Sequence, residues 1–172
     1  MGNLASLLQD QGELAAAEPL MREALAAERE TLGARHPSTL TSMNNLAQLL
    51  KAQGELAAAE PLMREELAAE RETLGERHPN TLIFIGNLAD LLREKGDLDE
   101  AAAALGDAPA VAAEVFGADY MRTLVLEGKA ARLALARTAD AAPLRAAVGR
   151  MEAALGAEHK ETRKYAEALA LV

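Results

Sequence analysis

The apolar positions of this chain recur with the rhythm of a helix, not of a strand. At about 100° per residue, Leu40, Met43, Leu46, Ala47, Leu49 and Leu50 fall on one continuous arc of a helix spanning Thr39 to Gln53. Thr41, Asn44, Asn45, Gln48, Lys51 and Ala52 fill the narrower opposite arc. A second amphipathic segment runs from Leu56 to Leu74 and turns Leu56, Ala59, Leu62, Met63, Leu67 and Leu74 inward. Gly54 separates the two, because a glycine just past a helix end takes the left-handed conformation that closes it. Gly75 closes the second helix. His78-Pro79 starts the next one, since proline's missing N–H costs nothing at the first helical position. Pro19 and Pro61 lie early in the second helices, where few intrahelical bonds lie upstream, so a mild bend is expected there and not a break.

This unit repeats. Asn45-Leu46-Ala47-Gln48-Leu49-Leu50 has counterparts 42 residues away on either side, Asn3-Leu4-Ala5-Ser6-Leu7-Leu8 and Asn87-Leu88-Ala89-Asp90-Leu91-Leu92. The linker Leu74-Gly75-Glu76-Arg77-His78-Pro79 has an earlier copy at Leu32-Gly33-Ala34-Arg35-His36-Pro37. It returns as Phe116-Gly117 and as Leu155-Gly156-Ala157-Glu158-His159. A fixed period of this length is the mark of a solenoid, in which each helical hairpin buries its apolar face on its neighbours. The expected fold class is therefore all-α, with about nine helices in a single array over residues 1–172. Its parts are a truncated repeat at 3–36, repeats at 37–78 and 79–120, a degenerate fourth at 121–159, and a capping helix at 160–172.

Two places break the pattern. The first repeat starts at Asn3, inside its first helix, with the counterpart of Thr39 to Asn44 missing, which points to a natural chain that extends further N-terminally. In the third repeat Gly106 and Pro109 interrupt Leu98 to Phe116. Proline inside a helix costs about 3 kcal/mol and glycine about 1, so a kinked or two-piece helix is expected, with Asp107 as cap of the second piece.

Composition narrows the function classes. The chain has 172 residues, no cysteine, 2% aromatic residues and a formal charge of −9. Without cysteine there is no disulfide framework, thiolate metal site or cysteine nucleophile, which suits a reducing, cytoplasmic setting. The negative balance argues against a nucleic-acid partner, because that affinity comes from clustered Lys and Arg. No run approaches the 18 or more apolar residues of a membrane span. His36, His78 and His159 recur once per linker and read as turn residues, not metal ligands. No phosphate-cradling loop or activated serine is present, so no catalytic residue, metal or cofactor is expected. Met21 and Met63, at the same repeat position, are core fillers. The i,i+4 pairs Glu18–Arg22 and Glu60–Arg64 tune the surface by a few tenths of a kcal/mol.

With these residues in view, the chain resembles the tetratricopeptide repeats. The 42-residue period, the Asn-Leu-Ala-x-Leu-Leu core, the Ala-Glu-Pro-Leu at Ala17 to Leu20 and Ala59 to Leu62, and the Leu-Gly-x-x-His-Pro-x-Thr linker resemble the subclass found in kinesin light chains. The likeness is strong over residues 3–105 and fades afterwards. Leu8, Leu50 and Leu92 stand where that subclass prefers Tyr, and Glu66 where it prefers Ala. The resemblance implies a right-handed α-solenoid, a superhelix of antiparallel helix pairs, whose first helices line a concave groove. It implies a protein–protein interaction scaffold and no enzyme. In related repeats the Asn before Leu-Ala bonds the backbone of an extended peptide. Asn3, Asn45 and Asn87 hold that place, and an amide both donates and accepts; Lys129 replaces it in the fourth repeat.

The expected peptide-binding face thus comprises Asn3, Asn44, Asn45, Gln48, Lys51, Ile83, Asn87, Asp90, Arg93, Lys129 and Arg132. Lys51, Arg93, Lys129 and Arg132 would draw acidic side chains, and Ile83 and Val125 would offer apolar contact. Gly86 and Gly128 are expected to lower the groove floor for a ligand. The competing reading is a self-assembling fragment, a homodimer formed through the apolar edge at Leu4, Leu7 and Leu8 of the truncated repeat.

Overall fold

The computed structural model describes residues 13–171. Among them every regular element is a helix. Two compact units divide the chain, Met1–Thr73 and Leu74–Val172. The first carries α1 (Leu14–Thr31), α2 (Pro37–Ala52) and α3 (Leu56–Leu74). The second carries α4 (Pro79–Lys95), α5 (Leu98–Leu105), α6 (Ala108–Phe116), α7 (Met121–Thr138), α8 (Ala142–Leu155) and α9 (Lys160–Ala170). Nine helices are thus described. The expected nine had counted one before Gly12, outside the described residues, and a single helix over 98–116. Asn3 and the apolar edge at Leu4, Leu7 and Leu8 also lie outside the described residues.

The first two linkers are built from the same three residues. Gly75 sits at φ +89, which only glycine takes without strain. Its carbonyl accepts from the Thr81 hydroxyl at 2.8 Å and from the His78 N–H at 3.3 Å. His78 then caps α4: its Nδ1 accepts from the Asn80 N–H at 3.2 Å. The first linker repeats this with Gly33, His36 and Thr39, and in the last His159 caps Glu161 at 3.3 Å. Pro37 and Pro79 open their helices, as the sequence predicts. The histidines are thus more than turn fillers, because the ring supplies the acceptor that an N-cap needs. The third linker keeps the Thr123–Gly117 bond at 2.9 Å but has Tyr120-Met121 in place of His-Pro, and Tyr120 makes no side-chain cap bond.

Within a repeat, the turn after the first helix closes on Gly54, at φ +82. The Glu55 N–H reaches Leu50 O at 2.8 Å and the Gly54 N–H reaches Lys51 O at 3.0 Å, the paired bonds of a Schellman closure. The following helices run through Pro19 and Pro61 unbroken. Ala17, Ala59 and Ala101 are completely buried at one repeat position, so helices meet there at alanine's short reach. Gly106 and Pro109 do split the third repeat's second helix, into α5 and α6. Asp107 stands at the N-cap of α6, yet its side chain makes no cap bond. That corrects its expected role, and its backbone carbonyl, bonded by the Val111 N–H at 3.0 Å, starts the helix instead.

The core is aliphatic and follows the predicted faces, except that Leu74, expected to turn inward, stands 45% exposed at the end of α3. Leu46, Leu49, Leu50, Met43 and Met63 are at most 2% exposed, each contributing on the order of 1.5–3 kcal/mol. In the second unit α7, α8 and α9 close around Leu124, Leu144, Val148, Met151 and Tyr165. Tyr165 is fully buried and donates to Val125 O at 3.1 Å. Burial pushes its phenol well above the usual range, with Asp90 and Glu161 adding to the shift. Exposed linker arginines tie each repeat to the next: Arg77 to Glu114 at 2.8 Å, and Arg35 to Glu72 in the same register. Such pairs are worth a few tenths of a kcal/mol.

One core position is polar. Glu66 is 1% exposed, where the first repeat has Ala24, and its Oε1 has no hydrogen-bond partner. Burial, helped by the nearby Glu70 carboxylate, raises its pKa from 4.5 to about 8. The folded state therefore holds this proton over a range in which the unfolded chain releases it. Stability should fall as pH rises from about 4.5 to about 8 by up to about 1.4 kcal/mol per unit, and level off above.

Two outcomes are expected. Thermal unfolding followed across that pH window should lose most of its slope in Glu66→Gln; a slope equal to that of the parent protein would contradict the assignment. His78→Ala should cost about 1 kcal/mol, with Asn at the same place restoring most of it, because Asn also caps. Equal denaturation midpoints for the Ala and Asn variants would show that the ring is not a cap.

Candidate functional site

The predicted face divides between the two units. In the first, α2 presents Asn45 exposed, with Asn44, Gln48 and Lys51 half-buried. The Asn44 side-chain oxygen is shielded and has no hydrogen-bond partner. In the second unit the first helices of two repeats, α4 and α7, lie against each other. Between them and the start of α9 opens a cavity of about 240 Å3. Ile83, Met121, Val125 and Leu126 form its apolar walls, and Asn87, Arg122, Lys129, Lys160 and Glu161 its polar ones. Of the predicted residues, Ile83, Asn87, Val125 and Lys129 meet in this one space.

Lys129 is buried, 8% exposed, beside Asp90 at 9%. Its Nζ lies 3.0 Å from the Asp90 carboxylate and donates to Asn87 Oδ1 at 3.0 Å. An ammonium has three donors and no acceptor, so the amide must turn its oxygen to Lys129. Asn87 keeps its NH2 group as a donor. An unpaired charge at this depth would be costly, and the Asp90 carboxylate is what allows it.

The other two predicted cations of this unit are not in the lining of the cavity. Arg93 is bracketed by Asp90 at 3.9 Å and Glu94 at 3.4 Å. The Arg132 guanidinium sits 5.8 Å from the centre of the Tyr165 ring, a cation–π distance. Lys164 lies 5.5 Å from the same ring.

The mid-helix glycines serve packing, which corrects their expected role as a groove floor. A Cβ on Gly86 would stand 2.8 Å from the Leu126 side chain and 3.2 Å from that of Lys129. A Cβ on Gly128 would stand 2.8 Å from Met151 and from the Tyr165 ring. Both glycines are buried. They admit side chains of the helices packed against them, α7 at Gly86 and α8 and α9 at Gly128.

Arg122, Met121, Lys160 and Glu161 were not among the predicted residues. The sign was available in the third linker, which breaks the His-Pro rule at Tyr120-Met121. Both are exposed, at 48% and 41%, and Phe116 stacks near Tyr120 with ring centres 5.5 Å apart. A local rule broken without a structural gain marks a site more often than a defect.

A second, more open cavity of about 370 Å3 lies on another face of α7, among Pro109, Ala130, Ala134, Pro143 and Ala147. Its charged groups, Glu127 and Arg150, are paired with each other at 2.7 Å. It offers a hollow without a free polar anchor. Among the described residues no group of three or more His, Asp or Glu is placed to hold a metal ion, and no helix is long and apolar enough to cross a membrane.

The tetratricopeptide repeat family matches residues 1–71 and 51–112, and the chain belongs to that family. Its repeats are of the kinesin light chain-like type. Two crystal structures of a Podosopora anserina protein, described as a kinesin light chain with nearly identical TPR-like repeats, superpose with TM-scores of 0.81 and 0.79. Each is 27% identical, and the match covers 98% of this chain and 81% or 82% of the other. BtubC (BKLC) from P. vanneervenii shares the fold at 20% identity and a TM-score of 0.74, over 98% of this chain and 69% of its own. No curated protein matches. The tetratricopeptide fold is in general a protein–protein interaction scaffold.

If Gly128 exists to admit Tyr165, then Gly128→Ala should lower stability by about 1–3 kcal/mol despite alanine's better helix propensity. A rise in melting temperature would return the glycine to the groove.

Proposed function

We propose that this chain is a non-enzymatic scaffold that holds a segment of a partner protein on its first-helix faces, with its best-formed subsite in the second unit. The observation that carries this is the cavity between α4 and α7, where apolar walls stand beside an amide fixed by a buried ion pair. Apolar walls with a few placed polar groups are what a recognition site requires. Ile83 and Val125 supply contact area, and Asn87 gives direction through its N–H groups. The clamp expected from sequence had Asn87 both donating and accepting; Lys129 occupies one of the two lone pairs on Oδ1, and the N–H donors are the groups it leaves untouched. Asn45, exposed on α2, is free to do both. Within the second unit the buried core around Leu124, Leu144 and Tyr165 backs the cavity, and a preformed site limits the ordering cost of binding. The setting we infer is cytoplasmic, with a protein partner and neither nucleic acid nor membrane.

Peptides selected from a displayed library against this protein give the test. Ile83→Glu, at a half-exposed position, should weaken the selected peptides by tenfold or more while the melting temperature stays within a few degrees. Unchanged affinity in a folded variant, or a library that yields no binder, would overturn the reading.

A further inference from the structure

The third linker carries a second departure, and it lies outside the cavity. In the first two linkers an arginine reaches an acid on the second helix of the following repeat, Arg35 to Glu72 and Arg77 to Glu114. In the third the charges are exchanged. Asp119 stands 42 residues after Arg77, and the arginine, Arg150, sits on the helix, α8. We infer that Arg150 is a positioning residue for the binding face. Reaching back from α8, it holds the third linker and so sets where Met121 and Arg122 stand, a role that rests on the reading of that face as a binding site.

Arg150 grips with two arms. Its Nη1 donates to Glu127 Oε1 on α7 at 2.7 Å. Its Nη2 donates to Ala118 O in the linker at 2.7 Å, with the Asp119 carboxylate 3.7 Å away. Hydrogen bonds from an ionised donor are roughly twice as strong as neutral ones. The planar guanidinium keeps its two nitrogens at a fixed spacing, so the linker carbonyl is tied to the second turn of α7. The exchange of charges is what makes this possible. A linker arginine such as Arg77 ties only its own side chain to the next repeat. An arginine on the helix can take a linker carbonyl as well, and so holds backbone.

This is the linker that needs holding. α7 starts at Tyr120 without the side-chain cap that His36 and His78 give to α2 and α4. Met121 also lacks the fixed φ that proline brings to the start of those two helices. Two of the devices that aim a first helix are therefore absent, and the Thr123–Gly117 bond is kept. Arg150 bonds the residue directly after Gly117, itself left-handed at φ +93. Three residues further on stands Met121, a wall of the cavity, with Arg122 beside it.

Arg150→Lys separates this grip from a plain ion pair. A single ammonium keeps a cation beside Glu127 but does not span to Ala118 O, so it should behave like Arg150→Ala. In both variants of the intact protein, amide hydrogen exchange at Tyr120 and Leu124 should speed up by about tenfold or more. Their counterparts in the second linker, His78 and Leu82, should exchange as before. The Met121 methyl resonance should move. Displayed peptides that depend on Ile83 should bind about fivefold more weakly, because a loosened linker must be ordered on binding. The melting temperature should stay within a few degrees, since exposed charge pairs contribute little. Arg145→Ala, exposed on the same helix, is the control and should change none of these. Parent-like exchange at Tyr120 and Leu124, an unmoved Met121 resonance, or full peptide affinity in Arg150→Ala would each overturn the inference. So would an Arg150→Lys protein indistinguishable from the parent. A library without an Ile83-dependent binder would remove the broader reading and the binding role of Arg150 with it, while exchange and the Met121 resonance still decide whether Arg150 holds the linker.

Discussion

Everything in this chain hangs on the left-handed glycine between one helical hairpin and the next. In the first three linkers its carbonyl is tied back by the threonine six residues on, at 2.8 Å from Thr39 and Thr81 and 2.9 Å from Thr123. That bond sits in the core, where an unmade one would cost about 1–3 kcal/mol. It fixes where the next helix begins, and the histidine ring or the proline then completes the start. Constant linker geometry lets Ala17, Ala59 and Ala101 recur at full burial and lets one aliphatic face serve every repeat. The scaffold is therefore set by a few backbone-directed polar bonds, while leucine burial supplies most of the stabilisation.

The second unit shows what happens when the rule is relaxed. At α7 the cap is gone, and Met121 and Arg122 stand at a cavity rim instead. At the end of α7 the chain turns on Ala139 at φ +57, a place where earlier repeats put glycine. The C-terminal helix α9 compensates by driving the buried Tyr165 ring against Gly128. A pocket of donors and apolar walls is what remains between these adjustments. The degenerate end of the array thus holds the cavity in which Ile83, Asn87, Val125 and Lys129 meet.

Much of the fold was legible because it rests on period and on Gly and Pro. Helix spans, the break at Gly106 and Pro109, and the inward leucines are local properties repeated 42 residues apart. The site was legible only in part. Ile83, Asn87 and Lys129 were placed on one face by helical geometry. Their bonding was not, because the ion pair of Lys129 with Asp90 spans two repeats and depends on how closely α4 and α7 approach. That approach depends on Gly86, read from sequence as open floor and found filled by Leu126. The capping role of His78 escaped because His is a rarer cap than Ser, Thr, Asp or Asn. Lys160 escaped because it belongs to the capping helix, which helical periodicity alone does not place beside α4.

The most direct measurement is a structure of the protein with a selected partner segment bound. The account predicts density over the cavity at Ile83, Val125 and Asn87, with the Lys129 to Asn87 bond intact. Density confined to the hollow among Pro109, Ala130 and Pro143, with the first-helix face bare, would contradict it.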